Sequence, residues 1–391
     1  MPLLKTLAVA LLAYLVLLLW LELRHRLRPR SPLTLTPREW AVTARGDDRL
    51  VIEGLLELHN PHRRMEVMVP ELEVRPVLIG QQGTRSLRRR VRVIAEHPDS
   101  PARPDGYWVA YIIKAGASTQ ARVRVTLQGT DRAPVEVADT LWLEVNWVNY
   151  GPFGRLPRRD GVLVPLRTPA PLGADEATWQ EGDGFRVLPL GTHLLGPLDD
   201  PLAVLQRYAA PLIRPGDILT IGETPLAVMQ GRFHHPATVQ PGWLARALCR
   251  VFHPTSSLAT ACGIQSLIDL VGPARVLSAW VLGSLLKLVG SRGGFYRLAG
   301  EQARLIDDIT GTTPPYDQTI VLGPLEAERC CRSLAESLGV HVAVVDVNDL
   351  GRVKVLASDP GCDHRLLAAA LRPNPAGNAD QRTPLVLVRP A

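Results

Sequence analysis

RPGDILTIGETPLAVMQGR, residues 214–232, is the stretch whose reading decides the fold. Pro215-Gly216-Asp217 is a chain breaker set just ahead of Ile218, Leu219 and Ile221, a short apolar run of the kind that makes a buried strand. Gly222, Glu223 and Thr224 interrupt the run, and Pro225 lets the backbone turn there. Residues 226–229 are apolar again, and Gln230-Gly231-Arg232 closes the segment. Strand, small polar turn, then strand or helix is a common way to build a phosphate or carboxylate site. The same residues also describe an ordinary internal turn.

Working outward, the pattern from Phe185 onward is mixed α/β. FRVLPL (185–190) reads as a strand, and residues 200–210 as a short helix. Residues 242–252 place Trp243, Leu244, Leu248 and Val251 at helical spacing, and Thr255-Ser256-Ser257 caps a helix over 258–271. Pro273 opens another helix, to Gly290. It is too short and too polar (Ser278, Ser284, Lys287) for a membrane span, so the prediction is a buried core helix. A helix over 301–309 would set Arg304 and Asp308 four residues apart on one face. Residues 325–338 read as a helix. Residues 341–346 read as a buried strand whose polar residue arrives at its carboxyl end, where open α/β sheets hold ligands.

The amino-terminal half is different. TLAVALLAYLVLLLWL (6–21) carries no charge and ends near Trp20, as interfacial aromatics do. A cleaved signal peptide is the rival reading, but ELRHRLRPR follows the run instead of a small-residue cleavage site. The expectation is a single-pass transmembrane helix over 6–23. One Lys precedes it and four Arg follow, which places the carboxy-terminal part in the cytoplasm. Residues 33–166 alternate apolar and charged in short runs (49–59, 65–74, 88–94, 107–113, 121–127, 140–148) divided by breakers such as Asn60-Pro61, Gly116 and Gly129. That spacing predicts an all-β sandwich of about seven strands serving as spacer or interaction domain. Residues 167–184 are rich in Pro, Gly and acid and read as a linker, so that the second domain covers 185–391.

Net charge is +6, but Arg24, Arg26, Arg28, Arg30, Arg85, Arg88, Arg89, Arg90 and Arg92 account for it; without these nine the rest stands at −3. A basic nucleic-acid surface on the carboxy-terminal half is thereby excluded. The five cysteines (249, 262, 330, 331, 362) form no CxxC pair and are odd in number, as in a reducing compartment with no cysteine metal site.

GDILTIGETPLAVMQGR resembles, without a gap, the GD-(apolar)-S/T-x-x-S-K-x-E-G-R stretch of the coenzyme F-420:L-glutamate ligase (gamma-glutamyl ligase) family. VLPLGTHLLGPLDDPLAVL (187–205) is similar to that family's opening strand and turn. GVHVAVVDVNDLGRVKVLASD (339–359) is similar to its (apolar)-T-D-T-N-G-R strand end, and TPLVLVRP (383–390) to its last strand. The blocks come in the family's order and cover residues 180–391. With an amino-terminal membrane segment, the chain resembles the homologues of cyanobacteria. The GLLELHNP pattern at 54–61 also resembles, faintly, the sandwich of water-stress proteins.

The resemblance implies a gamma-glutamyl-ligase-like α/β domain in which GTP and Mg²⁺ or Mn²⁺ activate a carboxylate as an acyl phosphate for attack by an amine. It puts Asp346 on the family's metal-binding Asp, and Asn348 on the Asn two residues later. Glu223 and Thr224 fall on the polar pair that meets the nucleotide, and Leu188-Pro189-Leu190 on the first nucleotide-contacting turn. Three departures stand out. Val228 occupies the position of the phosphate-facing Lys, Val347 replaces a Thr, and ACGIQ (261–265) puts Gln265 where a second metal Asp is expected; a neutral amide is a poorer Mg²⁺ ligand than a carboxylate. Replacement metal ligands are Asp307 and Asp308, with Thr310, Thr312 and Thr313; Lys287 or Arg304 would serve as a phosphate contact. The Asp pair also reads as a solvated helix end, and His234-His235 as a turn pair whose side chains diverge. Asp346 is expected to need a partner because it ends a buried strand. The first functional expectation is an amide ligase acting on a small-molecule carboxylate such as a coenzyme F-420 precursor. The second is a catalytically silent ligand- or partner-binding domain at the membrane. Expected partners are membrane, nucleotide and carboxylate, with a homodimer left open and nucleic acid excluded.

Overall fold

The computed structural model describes residues 2–26, 33–80, 84–129, 132–254, 256–291, 293–309, 314–347, 351–377 and 381–391. Helix Pro2–Arg26 comes first, and every side chain from Lys5 to Arg24 is exposed. By length and apolarity Lys5–Arg24 is able to cross a membrane.

Two antiparallel sheets follow. One runs Thr34–Arg45, Arg49–His59, Ser118–Gln128, Arg88–Glu96 in spatial order. The other contains Leu72–Ile79, Thr140–Gly151, Val67–Val69 and Tyr111–Ile113, with Gly154–Pro165 paired along all of Thr140–Gly151. Their inner faces share one aliphatic core that includes Ile52, Leu56, Val123, Val125, Leu143 and Val162. Among the described residues nine strands stand where about seven are predicted. The missed Thr34–Arg45 strand is mostly exposed, carries Pro37 and pairs on one side only, as edge strands with proline do, so alternation is weak there. The predicted strand over 65–74 is two strands that break at Pro70-Glu71. Asn60 pins the sandwich end: it is fully buried and its Nδ2 donates to the carbonyls of Met65 (2.7 Å) and Ile113 (3.1 Å).

The second half is built on a six-stranded mixed sheet, ordered Gln180–Gly182, Phe185–Leu190, Leu385–Pro390, Ile218–Gly222, His341–Val347, Val353–Ser358; only Ile218–Gly222 and His341–Val347 run parallel. Strand alternation sorts the side chains into two cores. Leu219, Ile221, Val342, Val344 and Leu387 face helices Pro201–Tyr208 and Ala327–Leu338. Ile218, Ala343, Val345, Val386 and Val388 face helix His364–Leu371. Both faces are covered, which is why these strands read as unbroken apolar runs. The 167–184 segment is not a loose linker: Leu172, Ala177 and Trp179 pack on the first of these cores, and Gln180–Gly182 adds an edge strand.

Between these strands lies a helical region with its own core (Leu248, Ile264, Leu267, Val276, Ala303) and a small sheet of Phe233–His234, Ile320–Val321 and Asp307–Asp308. Two expectations fail here. The predicted 301–309 helix stops at Gln302–Leu305, and Asp307-Asp308 joins the small sheet, so Arg304 and Asp308 are not a helical pair. Helix Pro273–Leu288 is no core helix: only Val276, Ala279 and Gly283 are buried along it.

The halves meet on an apolar junction in which Trp142 and Leu163 from the sandwich pack with Leu194, Val228, Phe233 and Tyr316. Tyr316 stands edge-on to both Trp142 and Phe233, at centroid distances of 5.8 and 5.0 Å. Gly161 leaves room for the indole of Trp142, which any Cβ would overlap. Gly161→Ala is expected to destabilise by about 1–3 kcal/mol through overpacking; an unchanged urea midpoint would show that the junction adjusts freely.

The sheet's own tie is an ion pair. Arg389 donates from Nε to Asp217 Oδ1 (2.8 Å) and from Nη2 to Asp217 Oδ2 (2.7 Å) and to the Leu212 carbonyl (2.8 Å). Both side chains are buried, and the Arg389 guanidinium lies 4.4 Å above the Trp179 ring. Asp217→Ala is expected to cost about 3–5 kcal/mol in urea unfolding, because it leaves a buried guanidinium uncompensated. A loss under about 1 kcal/mol would mean the pair is not the tie.

Candidate functional site

The breaker at 214–217 works as read. Gly216 has φ +89°, Asp217 Oδ2 accepts from the Arg214 amide at 2.8 Å, and the strand starts at Ile218. At the strand's other end Gly222 donates to the Pro384 carbonyl (3.0 Å) and becomes the N-cap of helix Glu223–Met229. The parallel partner His341–Val347 ends beside it, with Gly222 opposite Val345. The carboxyl ends of the only parallel pair among the described strands therefore open on one cavity of about 500 Å³. Such an edge is where an α/β sheet offers unpaired backbone and polar side chains to a ligand.

Glu223, Thr224, Asp307 and Asp346 all line this cavity. Glu223 is half-buried; desolvation first, then the charges of Asp346 and Asp307, raise its pKa to about 8, while Lys354 opposes the rise. Burial and then Asp346 raise Asp307 to about 6. Asp346 itself is exposed and lies opposite Lys354 on the neighbouring strand, so burial is not what demands a partner for it; its place in the site comes from facing the cavity. Arg304 and Arg382 line the same space as cations, and Arg382 also reaches Asp139 of the sandwich at 3.5 Å.

Other predicted residues fall elsewhere. Asp308 points away: it accepts a hydrogen bond from the Thr260 hydroxyl and does not line the cavity, because adjacent strand residues face opposite ways. The grouping of Asp307, Asp308 and Asp346 at one point is thus corrected to Asp307 and Asp346 with Glu223. Pro189 and Leu190 sit inside strand Phe185–Leu190, opposite Val386 and Leu385, and the chain enters the cavity wall only at Thr192. Gln265 is engaged by Asp269 (2.8 Å) and the Gly242 amide (2.9 Å). Lys287 lies on the exposed Pro273–Leu288 helix. Val228 does line the cavity, as an apolar wall. His234 hydrogen-bonds Ser266 at 2.9 Å, while His235 accepts from the Ala237 amide at 3.1 Å. Asn348, Thr310, Thr312 and Thr313 lie outside the described residues.

Sequence reading misses His193. It is buried against the cavity, its Nδ1 2.7 Å from the Tyr208 hydroxyl and its Nε2 2.9 Å from Asp199 Oδ1. The THLLGPLDD spacing carries a faint signal, since Asp199 also accepts from the Gly196 amide at 2.8 Å and closes the turn locally. Thr383 and Arg382 are equally unmarked as site residues.

Carboxylates that crowd one cavity attract a cation. Glu223, Asp307 and Asp346 are hard oxygen donors, suited to Mg²⁺ or Mn²⁺ or to a substrate ammonium. Among the described residues, no three His, Cys, Asp or Glu side chains group tightly enough to hold a metal alone. Mg²⁺ commonly takes one or two carboxylates plus substrate oxygens, so two of these groups suffice.

Glu223 binds a proton in the folded state that the unfolded chain, with an ordinary value of 4.5, has released by neutral pH. Stability is therefore expected to fall as pH rises from about 4.5 to about 8. Asp307 has the same sign over a lower window, from 3.8 to about 6. Urea titrations across this range should show a shallower decline for Glu223→Gln; an unaltered slope would rule out the shift at Glu223.

No curated protein matches the chain. Among solved structures, a FixG-related protein from Vibrio parahaemolyticus is 7% identical, covering 34% of this chain and 96% of that one at a TM-score of 0.19. An ASH/PapD-like domain of human CEP192 is 12% identical, covering 35% and 87% at 0.18. At these TM-scores neither bears on fold or function. A family model matches residues 34–168, described as "F420-0:gamma-glutamyl ligase, N-terminal Ig-like domain". The two-sheet domain that precedes the cavity is thus similar to the Ig-like domain found at the N-terminus of F420-0:gamma-glutamyl ligase.

Proposed function

We propose that this protein is a gamma-glutamyl-ligase-like enzyme that joins an amino acid, glutamate by resemblance, to a small-molecule carboxylate such as a coenzyme F-420 precursor. The single observation that carries the reading is the cavity at the carboxyl ends of the parallel strands. Glu223, Thr224 and Asp346, which the family resemblance assigns to nucleotide and metal, line it together with Asp307. The matched Ig-like domain points to the same family. GTP with Mg²⁺ or Mn²⁺ would supply the activation of the carboxylate. Asp346 and Asp307 would hold the metal, and Arg304 and Arg382 would face anionic oxygens. Glu223, whose raised pKa of about 8 keeps its carboxyl protonated at neutral pH, is suited to donate a hydrogen bond to a substrate oxygen. We place Lys5–Arg24 across a membrane, with the carboxy-terminal half in the cytoplasm by its flanking arginines.

A second reading is a catalytically silent ligand-binding domain at the membrane. The observation that favours it is Val228, an apolar wall where the resemblance expects a phosphate-facing Lys.

Calorimetry on the full chain with GTP, then ATP, each with and without Mn²⁺, separates the two. The ligase reading expects metal-dependent binding that Asp346→Ala weakens at least about tenfold, roughly 1.4 kcal/mol. Absence of binding at millimolar nucleotide would sink it and leave the silent domain.

A further inference from the structure

Helix Pro273–Leu288 is turned inside out for a helix of a water-soluble domain. Its packed side carries small residues, Ala279 and Gly283, together with Val276 and the half-buried Trp280. At Gly283 an added Cβ would stand 2.6 Å from the Phe295 amide nitrogen, so helix Gly294–Ala299 lies against bare backbone. Apart from Trp280 and Leu286, the large apolar residues of its middle and end face outward. Leu277, Val281, Leu285 and Leu288 recur every three or four residues and form one stripe, with Leu282 and Val289 beside it. Leu288 and Val289 are 83% and 78% exposed. A contiguous apolar face of this kind marks a contact surface.

Charge decides what it contacts. From Leu270 to Gly300 the sequence carries Arg275, Lys287, Arg292 and Arg297, and no Asp or Glu. Apolar side chains with only cations among them match the anionic headgroups and acyl boundary of a bilayer. The preceding helix Ala261–Val271 turns away by 113° at Gly272 and is buried in the helical core. The outward helix is therefore a separate element and not half of a longer span.

We propose that helix Pro273–Leu288 is a second membrane contact, lying in the interface of an anionic bilayer. Val281, Leu285 and Leu288 enter the acyl boundary, while Arg275 and Lys287 meet headgroups. This rests on the reading of Lys5–Arg24 as a span, which brings the patch to the membrane at high local concentration. A second copy of the chain is the competing occupant.

The test uses the full chain reconstituted into vesicles of phosphatidylcholine with or without phosphatidylglycerol. A photoreactive benzoylphenylalanine replaces Leu285, or exposed Leu325 as a control. Products are identified by mass spectrometry. The proposal expects lipid adducts from position 285 and few from 325. It also expects about a fivefold drop in adducts on Lys287→Glu or on removing the anionic lipid. Adducts to a second copy, no adducts, or equal lipid labelling at both positions would each overturn it. Alkaline extraction of the same vesicles reports on the span alone: extracted protein refutes the span, whereas retained protein without lipid adducts at 285 refutes only the helix contact.

Discussion

The buried Asp217–Arg389 pair holds together segments 172 residues apart: the turn before the Ile218–Gly222 strand and the end of the last strand. Such a pair is costly to desolvate and is sustained here by two further hydrogen bonds, from Arg389 to the Leu212 carbonyl and from the Arg214 amide to Asp217. It fixes the register in which Ile218 lies opposite Val388 and Ile221 opposite Leu385. A slip of one residue would exchange the two cores on either face of the sheet. It would also move Gly222 away from Pro384, and with it the start of the helix that carries Glu223.

The cavity is thus set between two opposed demands. On one side Glu223 and Asp307 are gathered near exposed Asp346 where burial penalises their charge, as their raised values record. On the other side Leu194, Val228 and Tyr316 both wall the cavity and pack on the sandwich through Trp142 and Leu163. Tyr316 is buried, with its hydroxyl donating to the Leu195 carbonyl at 2.9 Å. The apolar junction therefore provides a rigid wall for a polar site, and the Ig-like domain is a structural part of the cavity's surroundings rather than a detached spacer. Arg382 makes the same link in polar form, lining the cavity while reaching Asp139.

The helical region is organised on a different principle. Helix Pro273–Leu288 is held by Val276, Ala279, Gly283 and Trp280, and its leucine stripe is left facing outward. Apolar content in the sequence reads as burial, and only the packing shows which side of the helix is used.

What the sequence determined by itself is local. The Pro-Gly-Asp breaker, the apolar run after it, the alternation of 49–59 and 121–127, and the uncharged run at 6–21 each follow from backbone preference and periodicity, which act over a few residues. The pairing of Glu223 with Asp346 in one site is legible through family resemblance, and Asp307 as a substitute ligand. That Asp307 faces the cavity and Asp308 faces Thr260 depends on the strand they form with Ile320–Val321. Likewise, His193, Arg382 and Thr383 come to the site by long-range pairing, and the edge strand Thr34–Arg45 forms by pairing with Arg49–His59. Only the tertiary structure decided these, because a strand's facing direction and a helix's buried side are set by what lies across from them, not by the residues alone.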